Sequence, residues 1–516
     1  MKNIFLIFIA FVICVSIQAQ HSFPKSVKED RDKIMSEAYW QIWNPQVQAQ
    51  IDRDIEKNRK ADGEVTLADV APNTEVRVEQ ISHDFKFGAH IFNFNQLGTP
   101  EYNRRYRELY GTFFNSATIA FYWKAFEREP GTPRFMGEYR DTEEYWNTVE
   151  QPEKEPHWRR PATDPVVEFC ESKGIRMHGH PIIWGSTGSQ HPQWVFDKFC
   201  PVDEKEKIEQ AGGMQEVLKL TPAEIEKLLP IYVEELKRLF DKRVEELAKH
   251  YGGRIHSWDI VNESVKDYFG NSVTGDAVCS SKNGILLPGD YTYRAFKLAE
   301  KHFPKTVQFN INEALYSFQP SDESEVAKER IDKYLLQIQD LLSHGCRIDI
   351  VGSQRHIFRA EEAEAIAAGK LLRTPQRQIE MLETLVKAER PIHLSEITIP
   401  SPTDDARGHA IQAIIARDFY RLWFSAKPVM GITWWNVVDY CGTSRESAPT
   451  GLFTRSMEPK PSFHALNQLI NHEWKTNLIL KVGKDGKVNF RGFKGNYRIV
   501  WKDNSGNMQT KEYYLK

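Results

Sequence analysis

The sequence predicts an α/β fold, a (β/α)₈ barrel in which a closed parallel sheet is wrapped by helices. Three observations carry that expectation. Short apolar, β-rich runs recur eight times and alternate with long amphipathic runs. The strand after a helix is often introduced by a Gly or Pro break, as in "ESKGIR", "KHFPKTVQ" and "AERPIH". No glycine-rich nucleotide fingerprint marks a first βα turn, which argues against an open doubly wound sheet.

The strand-like runs are "FKFGAHIF" (85–92), "SATIAFYW" (116–123), "IRMHGHPIIW" (175–184) and "IHSWDIVNES" (255–264). They continue with "VQFNINEAL" (307–315), "DIVGSQRHIF" (349–358), "IHLSEITI" (392–399) and "VMGITWWNVV" (429–438). Helical spacing of apolar residues fills the intervals, as in "PEYNRRYRELYGTFF", "IYVEELKRLFDKRVEELAKHY" and "VAKERIDKYLLQIQDLL". Two long insertions, about residues 130–163 and 185–220, follow the second and third strands. Loops on that side of a barrel build its active site.

The barrel is expected over residues 85–474, between a segment at 21–84 and another at 475–516. The first reads as a short helix followed by polar β-rich stretches, "GEVTLADV" and "TEVRVEQI". The second alternates as strands with turns at "GKDGK" and "DNSGN". Neither is large enough for a generous core of its own. They are therefore expected to pack together as one small accessory β-module beside the barrel.

Residues 1–20, "MKNIFLIFIAFVICVSIQAQ", have one Lys, a short apolar run and small or polar residues near Ala19. That is the pattern of a secretory signal peptide, too short for a comfortable transmembrane span. Ile13 is too large beside Cys14 for a lipid anchor. The mature protein is expected to be exported, periplasmic or extracellular, with no membrane span. Positive and negative side chains nearly cancel, 68 against 71, for a net charge of -3. Nothing in that balance suggests a nucleic-acid partner. Cys170, Cys200, Cys279, Cys346 and Cys441 lack metal-type spacing and read mostly as buried thiols.

The chemistry lies at strand ends. Glu263 ends the fourth run and Glu396 the seventh, and both strands open onto one mouth. Burying a carboxylate is costly unless it is paired or used. Two carboxylates facing one cleft are what glycoside cleavage requires, one to protonate the leaving oxygen and one to attack or activate water. Either alone could be a structural ion pair; together they are more specific. His178 and His180 share a face at i and i+2, but a metal would need a third ligand, and none is evident. No metal or cofactor is expected. Asn262-Glu263-Ser264 fits a glycosylation acceptor, but the end of a core strand is the wrong place for one. Trp258 and Trp434 read as core residues.

In order and spacing, these motifs resemble those of the family 10 glycoside hydrolases, the endo-β-1,4-xylanase family, over roughly residues 85–470. The resemblance implies Glu263 of "WDIVNE" as general acid/base and Asn262 as partner of a sugar 2-hydroxyl. It implies Glu396 of "LSEIT" as nucleophile. "GHPIIWG" carries His180 and Trp184 into the sugar site, and "GSQRHIF" carries Gln354 and His356, which would hold the nucleophile and the sugar. "GITWWNVVD" supplies Trp435 as a platform under the ring, "EPKPSFHAL" resembles the start of the last helix, and Lys124 and Gln190 are carried over as substrate contacts. The pair implies a retaining double displacement, with the carboxyl groups ~5–5.5 Å apart. At neutral pH the acid must keep its proton, while the nucleophile must stay ionised beside donors such as His356 and Gln354.

Three departures bear on the substrate. Ala120 and Phe121 stand where the family has a polar Glu-Asn pair, so the neighbouring sugar subsite is expected to be rebuilt around Phe121, Tyr122 and Trp123. Thr398 stands where the family often has Asp, weakening the support of His356. The tryptophan that roofs the sugar beyond strand eight has no clear counterpart in "DYCGTSRE", which implies a wider site. The expected function is cleavage of xylan, decorated xylan above all. The alternatives are another β-linked glycan as substrate, or a non-catalytic glycan-binding barrel.

Overall fold

The computed structural model describes residues 34–185, 190–273, 279–280, 285–315, 326–370, 373–442, 446 and 448–516. The signal-peptide expectation lies outside these residues. Eight parallel strands form the central sheet: Lys86–His90, Ser116–Ala120, Arg176–His180, Ser257–Asn262, Gln308–Ala314, Ile350–His356, Ile392–Thr398 and Val429–Trp434. Each pairs with the next, and the eighth returns to the first, so the sheet has no open edge. All eight runs read from the sequence are barrel strands. A two-residue extension, Ile183–Trp184, adds to the fourth strand from the loop after the third.

The helices following these strands are Pro100–Thr112, Thr163–Ser172, Pro230–Tyr251, Tyr291–His302, Val326–Ser343, Pro375–Val386, Ala406–Ser425 and Pro461–Gln468. Their starts follow capping chemistry. Thr99 and Thr374 each accept an exposed backbone N–H ahead of a first-turn Pro, and Asp405 does the same for Gly408. Pro230–Tyr251 buries Tyr232, Val233, Leu236, Leu239, Phe240 and Val244 on one stripe against the barrel. Arg243 of the same helix is buried too, donating to the carbonyls of Ile182 and Phe121. It thereby holds the exits of the second and third strands.

The barrel interior is polar. Asp259 points inward from the fourth strand, with His178 Nε2 at 3.0 Å and His180 Nδ1 at 2.6 Å from one oxygen. Asn310 of the fifth strand donates to the other oxygen. Burial opposes the charge, but the two imidazoles outweigh it and hold the Asp259 carboxyl well below the usual carboxylate range.

The two ends of the chain do form one β-module. Strand Glu75–His83 lies between Asn477–Lys481 and Gly495–Lys502, and Met508–Leu515 closes that antiparallel sheet. Lys60–Thr66 pairs separately with Lys487–Phe493. Val65, Val76, Val78, Val488, Phe490 and Ile499 fill the space between them. Ahead of it stand two helices rather than the one expected, Glu37–Ile42 and Pro45–Arg59. Tyr39 donates to Asp418 (2.6 Å) and Trp43 packs on Phe419, both on the seventh barrel helix. Arg59 donates to the carbonyls of Phe424, Ala426 and Val429. Such contacts fasten the module to the closed, strand-start end of the barrel.

Gly179 shows how tightly the strands pack. A β-carbon there would lie 2.2 Å from the ring of Trp258, which is fully buried. Gly179→Ala should therefore cost about 1–3 kcal/mol, the range for overpacking a core. Chemical denaturation checks this, and an unchanged midpoint would show that the Trp258 ring can yield.

Candidate active site

Glu263 directly follows the last residue of the fourth strand, with φ of +52°. A non-glycine residue takes that left-handed conformation only where the surroundings impose it. Its backbone N–H bonds to the Asn312 carbonyl at 2.8 Å, which holds the turn. The turn presents the carboxylate to two donors: Trp184 Nε1 at 3.3 Å and Gln354 Nε2 at 3.1 Å.

Glu396 lies deeper. The register shifts beside it in the pairings with both flanking strands, between Gly352 and Gln354 on the sixth strand and between Leu394 and Ile397 on its own. Such irregularities re-aim a side chain. Asn312 Nδ2 reaches its Oε1 at 2.9 Å, His356 Nε2 its Oε2 at 3.1 Å, and His180 Nε2 lies 3.8 Å away. Burial nevertheless pushes the Glu396 carboxyl up to about 8; His180 and the Asn312 bond oppose the shift, while the Glu263 and Asp259 charges add to it. The expected ionised nucleophile thus has its donors, but depth and neighbouring anions outweigh them in the free protein.

Two partners differ from the expectation. Gln354 donates to Glu263 and to Asn262 Oδ1 (3.3 Å), so it steadies the acid candidate rather than the nucleophile candidate. The second donor to Glu396 is Asn312, which sequence reasoning missed. Its amide also donates to Asn262 Oδ1 at 2.9 Å and accepts from Ser395 at 2.6 Å. Gly352 makes room for it, since a β-carbon there would lie 2.3 Å from Asn312 Oδ1. The clue was an Asn two residues after Asn310 on one strand, the same face at period two. Asn262 keeps one buried amide nitrogen with no partner among the described residues, a donor available to a ligand.

His356 Nδ1 lies 2.7 Å from Thr398 Oγ1. The support expected to weaken at Thr398 is kept through a hydroxyl, which can donate to Nδ1 and leave the Nε2 hydrogen for Glu396.

One wall of the cleft is aromatic. Trp435 stands nearly perpendicular to His180 (centroids 5.3 Å) and to Phe92 (5.3 Å). Phe92, Ala120, Tyr122, Trp435 and Trp184 pack as one cluster. Of the three residues expected to rebuild the subsite, only Tyr122 faces it. Phe121 and Trp123 are corrections. Alternation turns Phe121 outward onto Phe126, Tyr251 and Trp258, and Trp123 packs on Trp194 and Phe240 while donating to Glu127. The unforeseen members are Phe92 and Arg160, whose guanidinium carbon lies 3.7 Å from the Tyr122 ring centroid. Lys124 is exposed, and both it and Gln190 line a cavity beside this wall. Trp258 and Trp434 are core residues with no exposed surface. The roof expected beyond strand eight falls partly at residues 443–445 and 447, outside the described residues.

A third carboxylate, also missed, stands behind the pair. Glu313 ends the fifth strand fully buried, accepting from Arg330 (2.7 Å) and from the Val265 N–H (3.0 Å). Burial raises its pKa, Arg330 opposes, and the Glu263 charge adds. It anchors the chain just past Glu263. The remaining cysteines described with side chains, Cys170, Cys200, Cys346 and Cys441, are buried and unpaired. Among the described residues no cluster of three His, Cys, Asp or Glu could hold a metal, and no helix is long and apolar enough to cross a membrane.

The family model for Glycosyl hydrolase family 10 matches residues 141–469, well over half of the chain. The chain belongs to glycosyl hydrolase family 10. The match begins after the second strand, beyond the point where Ala120 and Phe121 depart from the family pattern. Among curated relatives, an endo-1,4-β-xylanase A of Halalkalibacterium halodurans is 27% identical over 207 residues, 40% of this chain and 43% of the relative. An endo-1,4-β-xylanase C of Paenibacillus barcinonensis is 24% identical over 367 residues, 66% of this chain and 28% of the relative. The chain thus spans less than half the length of these relatives. In fold it is similar to native xylanase 10B from Thermotoga maritima, with a TM-score of 0.50, 18% identity, and coverage of 76% of this chain and 96% of that one.

Since the Glu263 charge contributes to the raised pKa of Glu396, Glu263→Gln should lower that pKa below about 8. A carboxyl ¹³C NMR titration reads it directly. An unmoved value would mean that burial and the Asp259 charge set the shift.

Proposed function

We propose that this hydrolase is exported and cleaves β-1,4-xylosidic bonds within xylan by a retaining double displacement. Glu263 is the acid/base and Glu396 the nucleophile. The observation that carries the reading is the amide bridge between the two carboxylates: Asn312 bonds Glu396, Asn262 links Asn312 to Gln354, and Gln354 bonds Glu263. Export is supported by the leader-like first twenty residues.

In the first step Glu263 gives its proton to the glycosidic oxygen as the Glu396 carboxylate bonds the anomeric carbon and the leaving sugar departs. In the second, Glu263 takes a proton from water, whose oxygen displaces Glu396 and frees it as a carboxylate. The orphan Asn262 amide supports a hydrogen bond to a hydroxyl of the bound sugar, and His356 steadies Glu396. Trp435 and Trp184 offer apolar faces to the rings.

The pair must hold one proton to start the reaction. Glu396 holds a proton up to about 8, and that proton is available to the site. Below that pH it is present; above it Glu396 is ionised and the proton is gone. We expect kcat/KM to fall as pH rises through about 8.

A second reading has its own support. Ala120 removes polar contacts that the family pattern places in the neighbouring subsite, which favours another β-linked glycan. A product time course on unsubstituted β-1,4-xylan decides between them. Xylan as substrate predicts early release of mixed xylo-oligosaccharides with the β-anomer appearing first. Glu263→Ala should reduce the rate ~10²–10⁴-fold, the usual contribution of a general acid, and Glu396→Ala should leave no turnover. Absence of products from any xylan would reject xylan and turn the screen to other β-glycans.

A further inference from the structure

We propose that a cavity beside the cleft binds an anionic group carried by the glycan, either the carboxylate of a uronic acid or a sulfate ester. The inference rests on the glycanase reading above and names the decoration that this site would select.

The cavity has a volume of about 560 Å³ and is built by the segments following the second and third strands. That is room for one sugar substituent. Lys124, Arg128, Trp158, Arg160, Gln190 and Lys198 are among its lining residues. Two acids, Glu129 and Asp197, share the lining. Glu129 is already paired with Lys198 at 2.6 Å, and Asp197 accepts from Gln193 at 3.2 Å. Lys124, Arg128 and Arg160 face no acidic partner among the described residues. The surplus is cationic, in a chain whose overall charge is slightly negative.

Arg160 carries the argument furthest. Its guanidinium carbon lies over the Tyr122 ring, 3.7 Å from the centroid, and its one protein hydrogen bond among the described residues goes to the Arg159 carbonyl at 2.7 Å. Burial, offset in part by Tyr122 and reinforced by Arg159, lowers its pKa to about 10. A half-buried cation facing a cavity without a counter-charge is costly, and a bound anion would offset that cost. Contact with the ring restrains the guanidinium, whose N–H fork matches a carboxylate or sulfate. Trp158 adds a buried indole N–H that has no partner among the described residues.

The cavity is continuous with the chemistry. Tyr122, on whose ring Arg160 lies, is 5.4 Å from His180 and 5.6 Å from Trp184, centroid to centroid. Gln190 lines both this cavity and the narrow space against Tyr122 and Trp184. A side group leaving a sugar held at the Tyr122 wall would therefore enter among the three cations.

Binding to the full-length Glu263→Gln protein, followed by calorimetry, tests this apart from turnover. One pair of probes is a glucuronate-bearing xylo-oligosaccharide and the same compound with its carboxyl reduced to the alcohol. The other is a sulfated β-linked oligosaccharide and its desulfated form. We expect one acidic probe to bind at least about tenfold tighter than its neutral partner, the scale of one charge-assisted hydrogen bond. The pair that shows it identifies the anion. Raised salt should shrink the ratio, Arg128→Gln and Arg160→Gln should bring it near one, and Arg128→Lys should retain part of it. Equal binding within both pairs, or a preference that survives Arg128→Gln and Arg160→Gln together, would overturn the proposal. Failure to cut xylan while the acidic preference persists would instead reject the xylan reading and leave this site standing.

Discussion

The buried carboxylate of Asp259 holds the centre of this structure together. It receives His178 and His180 from the third strand and Asn310 from the fifth, while itself belonging to the fourth. Three adjacent strands therefore share one charge inside the barrel. An uncompensated ion at that depth would be prohibitive, and the two imidazoles make it stable. The same contact turns the far nitrogen of His180 toward Glu396. A structural charge at mid-barrel thus orients a group at the mouth, and its negative field reaches Glu396 as well.

Above that layer the site is a chain of amides between two acids. Asn312 and Gln354 meet at Asn262 Oδ1, and each continues to a different glutamate. Asn312 and Gln354 cannot rotate without losing partners, so the geometry of the acids is preorganised. The positive φ of Glu263 stores strain where the carboxylate must stand clear of the strand. Glu313 and Arg330 hold the segment that follows it. Meanwhile the terminal β-module closes the opposite end, where Arg59 satisfies carbonyls beyond the seventh barrel helix.

Where the chain departs from its family, the replacement comes from elsewhere in the sequence. Ala120 is small, and Phe92 from the first strand's exit and Arg160 from an insertion close on Tyr122 in its place. The wall there is an aromatic face with a cation upon it.

The sequence by itself determined the eight strands, their order and the two glutamates at one mouth, and its family resemblance implied His180, His356, Trp184 and Trp435 beside them. Period-two apolar runs broken by Gly and Pro are local signals, and residues at the ends of parallel strands must meet once the sheet closes. Only the tertiary structure decided what depends on distance between remote segments. Phe121 and Trp123 look available in the sequence, yet alternation and helix packing bury them behind the wall. Asn312 and Glu313 sit in an unremarked strand and become part of the site because the fifth strand lies between the fourth and sixth. One donor to Glu396, His356, was implied by the family resemblance, but the proton affinity of Glu396 could not be read, because that follows from depth and from the charges of Glu263 and Asp259 brought beside it by folding.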